Sequence, residues 1–233
     1  MSDPRSVDGR VVAAGAVGDG SFPALPLART AELVGEYRWI EASLHRLLGT
    51  WVTDMPIAGV QVHLDAQSMR HAWHAELFGD RLPVLAGVDP DGLTRPSAVT
   101  AALFAALDGV GPAAEGPGST WPAADAGPPY RPAALPRLAG LYRVVLPRLV
   151  TSYDRHLRVV APVADGPLRR ALQLVLRDEV DDWMAGERLV QRLVTRPHDV
   201  AAVYEFQQRL DSAAVAAGAQ SGLVELPDWV PAD

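Results

Sequence analysis

The stretch "GPAAEGPGSTWPAADAGPPYRPAALP" is so dense in proline and glycine that it cannot hold regular secondary structure, because proline lacks a backbone N–H and glycine penalises order. On both sides of it the chain reads as helix. Before it, Leu33, Tyr37, Ile40, Leu44, Leu47 and Leu48 recur at three- and four-residue spacings, which predicts a first helix from Thr30, with Thr30 as its cap. "DMPIAG" makes a turn, and a second helix runs from Val60 to Leu82, stopped by Pro83. "SAVTAALFAALDGV" is a short helix after Pro96. After the proline-rich stretch come a third long helix over Pro136–Val160, bent or short of a hydrogen bond at Pro147, a fourth over Gly166–Thr195, and a fifth over Pro197–Gly218.

The pattern is all-α: two helical hairpins joined by a long crossover between the second and third helices, plus an extra C-terminal helix. This is the helix order of a four-helix bundle with one crossover. In boundaries, residues 1–27 read as a flexible leader, 28–218 as one helical-bundle domain with 86–135 as its crossover, and 219–233 as a tail. At 233 residues and 48% apolar content, the chain can bury a substantial core.

Charge and residue inventory narrow the function. The net charge is −7 and all 21 basic residues are scattered arginines, which argues against nucleic acid as a partner. The absence of cysteine removes thiolate ligands and nucleophiles, so a metal would have to be held by His, Asp, Glu or Tyr. No run of 18 apolar residues occurs, so no membrane span is expected, and the N-terminus lacks the order of a signal peptide. These points place the chain in the cytoplasm. The arginine-only, alanine-rich composition suits a bacterial source, and a homodimer is compatible with the pattern.

Two internal echoes link the hairpins. Gly35-Glu36-Tyr37-Arg38 returns as Gly140-Leu141-Tyr142-Arg143, 105 positions later, and Gly79-Asp80-Arg81-Leu82 returns as Gly186-Glu187-Arg188-Leu189, 107 positions later. With polar residues on the inward faces, the arrangement resembles the ferritin-like superfamily, which includes the di-iron carboxylate proteins. The resemblance covers Thr30 to Thr195. It implies a Glu from each of the first and third helices and a Glu-x-x-His pair from each of the second and fourth.

Carried over to this chain, the resemblance implies Glu36 as the first-helix ligand, with Glu41 a second candidate. It implies His71 and His74 on the second helix, where a carboxylate is replaced by imidazole, and Glu179 and Asp182 on the fourth, where the histidine is replaced. Leu141 stands where the third helix would supply a glutamate, and Asp154 lies more than three turns further along. The implied cofactor is Fe or Mn, one or two ions, with Zn compatible with the same donors, and the implied activity is that of an oxidase- or hydroxylase-like protein with an incomplete di-metal site. Two alternatives stand beside it. The histidines and carboxylates can form a metal-free polar core in a non-catalytic bundle that binds a protein or a small molecule. "DEVDD", Asp178 to Asp182, also resembles the magnesium motif of all-helical isoprenoid synthases. Trp39, Trp51, Trp73 and Trp183 read as core.

Overall fold

The computed structural model describes residues 25–55, 57–84, 86–109, 134–220 and 222–226. Most of the expected leader, the proline-rich part of the crossover and the end of the tail lie outside the described residues. Within them the structure is all-helical and no strand occurs.

The first hairpin pairs α1 (Leu27–Val52) with α2 (Ala58–Gly79). The first helix starts three residues before Thr30. Pro26 holds the N-cap position without a side-chain cap bond, and the Thr30 N–H bonds the Pro26 carbonyl. Thr30 is therefore a buried first-turn residue and caps nothing. At the far end α2 stops at Gly79, and tight bonds from the Arg81 and Leu82 N–H groups to Phe78 and Gly79 carry the chain to Pro83.

A one-turn α3 (Pro90–Leu93) and α4 (Ala98–Asp108) follow, and Ser97 caps α4 by accepting a bond from the Thr100 N–H. The third long rod is composite: α5 (Ala134–Gly140), a π turn (Leu141–Val145) and α6 (Leu146–Val159). In the π turn the Leu146 N–H reaches back five residues to Leu141. Pro147 follows directly; it has no N–H for the carbonyl four residues back, and a wider turn is one of the ways a helix absorbs such a residue. The second hairpin is closed by α7 (Gly166–Leu193), and α8 (Pro197–Ala216) packs on α5 and α4.

Residue pairs fix the directions. Glu41 meets His71 and His45 meets Ser68, so α1 and α2 are antiparallel. His74 meets Glu179 and Arg70 meets Asp182, so α2 and α7 are antiparallel. His63 and Gln67 meet Tyr142 while Phe78 stacks on Tyr153, so α2 and the third rod run parallel. A parallel pair cannot be joined by a short turn, which is why the connection from α2 to α5 is long.

The two echoed segments take comparable places. Arg38 of α1 lies against Gly79 of α2, and Tyr142 of the third rod lies against Gly186 of α7, with Arg143 gripping Glu187 next to it through two bonds of 2.8 and 2.9 Å. In each hairpin the glycine leaves room for a large side chain from the partner rod.

Candidate metal centre

Helix α2 sends one stripe inward: Val60, Leu64, Gln67, His71, His74 and Phe78 are all buried. The two histidines, three residues apart, share this face because a helix advances about 100° per residue. Facing them are Glu41, on the α1 stripe that holds Tyr37 and Leu44, and Glu179, on the α7 stripe of Val175, Asp182 and Gly186. Glu41, His71, His74 and Glu179 each offer one ligand atom, and the four atoms lie within 4.8 Å of one another.

The four atoms form a ring in which nitrogen and oxygen alternate. His71 Nδ1 is 2.6 Å from Glu41 Oε2 and 3.2 Å from Glu179 Oε1; His74 Nδ1 is 3.4 Å from Glu41 Oε2 and 3.2 Å from Glu179 Oε1. Donors at about 2.0–2.2 Å from a shared tetrahedral ion stand roughly 3.3–3.6 Å apart. Three of the four edges are close to that spacing, and the fourth is a short hydrogen bond.

Electrostatics within the ring are strongly coupled. Burial alone would push the histidine pKa values down, yet the Glu179 and Glu41 carboxylates outweigh it and hold His71 up to about 10; Glu41 and Glu179 likewise hold His74 up to about 11. For Glu41 burial acts upward, and the two imidazoles overcome it to bring its pKa down to about 2. Two imidazolium cations thus offset two carboxylates. A divalent cation replacing two protons leaves the same net charge, so the donor set is balanced for one such ion.

The surroundings orient the donors. His74 Nε2 lies 3.3 Å from Asp178 Oδ2, the carboxylate–imidazole arrangement that fixes a ligating histidine's tautomer. Tyr153 of α6 donates to Glu41 Oε1 at 2.5 Å. Glu179 Oε2 and His71 Nε2 are buried with no hydrogen-bond partner among the described residues, so Glu179 keeps a second oxygen with which to ligate.

Of the residues singled out from the sequence, the structure brings His71, His74 and Glu179 together and places Glu36 and Asp182 elsewhere. Glu36 accepts bonds from the Ser97 N–H at 3.0 Å and the Thr100 hydroxyl at 2.5 Å, tying the start of α4 to α1. Asp182 is gripped by Arg70 through Nε at 2.8 Å and through Nη2. Helix α1 contributes Glu41 in place of Glu36. The "DEVDD" segment is divided in the same way, with Asp178 on His74, Glu179 in the ring and Asp182 on Arg70, so its outer carboxylates face cations of the chain itself. From the third rod the ring receives the Tyr153 phenol, while the neighbouring Asp154 pairs with Arg158.

Tyr153 was not singled out from the sequence, and Asp178 was named there only as part of "DEVDD", although the inward spacing of Tyr142 and Tyr153 is visible in the sequence as three helical turns. Compared with known proteins, the chain matches no family model, no curated protein and no solved structure.

Proposed function

We propose that this chain is a ferritin-like four-helix bundle that holds one divalent first-row metal ion, Fe, Mn or Zn, between Glu41, His71, His74 and Glu179. The observation that carries the reading is the convergence of four buried nitrogen and oxygen donors, from three helices, within 4.8 Å. The antiparallel hairpins and the parallel pairing of α2 with the third rod support the bundle order. The donor chemistry supports a divalent ion, because two carboxylates and two neutral imidazoles carry the matching charge.

Such an ion supplies Lewis acidity, and Fe or Mn also supplies one-electron oxidation and reduction. Asp178 sets the His74 ring, Tyr153 sets the Glu41 carboxylate, and complete burial of all four side chains keeps bulk water away. The third rod supplies a phenol where a second ion would need a carboxylate, so the site is proposed as a one-ion relative of the di-metal oxidases and hydroxylases.

A metal-free polar core in a bundle that binds a protein or small molecule is the second reading, favoured by the 2.6 Å contact between His71 and Glu41, which is a hydrogen-bond distance. Elemental analysis of protein purified without a chelating column separates the two. The expected result is close to one Fe, Mn or Zn per chain and a melting temperature that rises when the ion is returned after chelation. Metal-free protein whose melting temperature ignores Fe(II), Mn(II) and Zn(II) establishes the second reading instead.

A further inference from the structure

Helix α2 is apolar on two sides. Its inner stripe fills the core, and its outer face carries Val62, Ala66, Met69 and Trp73, all exposed, at 70% for Val62, 62% for Met69 and 43% for Trp73. A helix apolar all round is normally covered all round. The outer residues fall at intervals of four, three and four, the d-a-d-a alternation of a coiled-coil seam. Among the described residues no other exposed face repeats this: Leu174 and Met184 on α7 are separated by exposed Arg177 and Asp181, and Tyr204 and Val215 on α8 by exposed Gln208.

The flanks of the seam identify the partner and its direction. With Ala66 and Trp73 at a, Val62 and Met69 at d, Asp65 takes the g position and Arg70 the following e position, five residues on. In a parallel two-stranded seam, g of one chain faces e of the next heptad of the other. Asp65 then meets the partner's Arg70, and the reciprocal pair forms by symmetry. In an antiparallel seam g faces g and e faces e, which sets Asp65 among g positions and Arg70 beside His63, with no opposite charges matched. Ala72 and Leu77 occupy the next g and e positions and flank Trp73, while exposed Glu76, at the next d, ends the apolar stripe. Arg70 also holds Asp182 of its own chain through Nε and Nη2, and its side chain remains 36% exposed for the partner's Asp65 to approach.

We propose that the outer face of α2 is the two-fold seam of a parallel homodimer of this chain, with Val62, Ala66, Met69 and Trp73 at its centre and Asp65 paired with the partner's Arg70. A symmetric seam of one surface against itself is the commonest way that identical chains associate.

The chain contains no cysteine, so engineered thiols report without background. In a parallel seam position 66 faces its own copy at a separation that a disulfide spans. Ala66→Cys alone is expected to give a covalent dimer under mild oxidation, and Met69→Cys alone likewise. The unmodified chain is expected to sediment as a dimer at micromolar concentration, with Trp73→Glu raising the dimer dissociation constant at least about 100-fold while the helical circular dichroism stays unchanged. Asp65→Arg is expected to weaken the dimer as well. A monomeric native chain, the outcome if another protein or the N-terminal segment covers this face, overturns the proposal. So do a dimer indifferent to Trp73→Glu and cross-linking that needs Ala66→Cys and Met69→Cys together, which indicates an antiparallel seam.

Discussion

Asp178 touches the centre only through His74, and its side chain is one-third exposed, so it can be changed without disturbing the core. Asp178→Asn and Tyr153→Phe are each expected to weaken metal binding about 10–100-fold, measured by competition with a chromophoric chelator, since groups that orient ligands contribute at that level. His74→Ala, which removes a donor, is expected to abolish stoichiometric binding. Proton linkage offers a second residue-scale prediction, in which His156 acts against the trend of the centre. Burial brings its pKa down to about 4, and the Tyr37 hydroxyl lies 3.0 Å from its Nδ1. A histidine lowered from 6.5 on folding stabilises fully above pH 6.5 and loses that contribution as pH falls through 4. His156→Gln is therefore expected to flatten the fall in unfolding free energy between pH 6.5 and 4, by on the order of 3 kcal/mol, in urea titrations across that range. In ion-free protein the ring histidines have the opposite sign. Their pKa values are raised, so their stabilisation is complete below pH 6.5 and is lost as pH rises through about 10 and 11. At this scale the sequence exposed the histidines and Glu179, because i, i+3 spacing on an apolar stripe is visible in one dimension. It put Glu36 ahead of Glu41, whereas Glu41 is the one that faces the histidines. Both are buried on α1, and the choice depends on which neighbour each meets: Ser97 and Thr100 of α4 for one, His71 of α2 for the other.

Elements were more legible than their ends. Periodicity located the long helices, and the proline at 147 announced a disturbance that the structure resolves as a π turn. The starts at Gly166 and Pro197 coincide with the proline-marked expectations, while other ends moved by up to three residues, since capping depends on local bonds such as that from the Thr30 N–H to Pro26 that composition does not reveal. Trp73 shows the limit of hydrophobicity as a guide: it reads as core, yet 43% of it faces outward, because α2 has two apolar stripes and the chain covers one. Packing between elements yields a further prediction. A Cβ at Gly186 would stand 2.0 Å from the Tyr142 ring, whose hydroxyl donates to Gln67 at 2.6 Å. Gly186→Ala is expected to lower the unfolding free energy by at least about 2 kcal/mol in urea denaturation, through overpacking where α7 crosses the π turn. Gly166, with nothing near its Cβ position, is the matched control.

On the scale of the whole molecule the centre joins parts that are distant along the chain. Glu41 and the histidines belong to the first hairpin and Glu179 to the second, so an ion bound there is a tie between hairpins. At a free ion concentration 1,000 times the dissociation constant, the stabilisation is about 4 kcal/mol, and for a chain of this size the melting temperature is expected to rise by about 10 °C, read by calorimetry with and without chelator. An all-helical chain with two helical hairpins was foreseeable from periodicity and loop lengths, whereas the matching of α2 against both α1 and α7 was not, because helix register between distant segments leaves no mark on local sequence. Complete burial of the four donors also bears on time. With all four side chains fully buried between helices, a bound ion is expected to enter or leave when α7 lifts from α2, so its exchange would be a clock for that separation. Its rate should follow the slow hydrogen exchange of the α7 amides around Glu179 and be indifferent to the concentration of competing chelator.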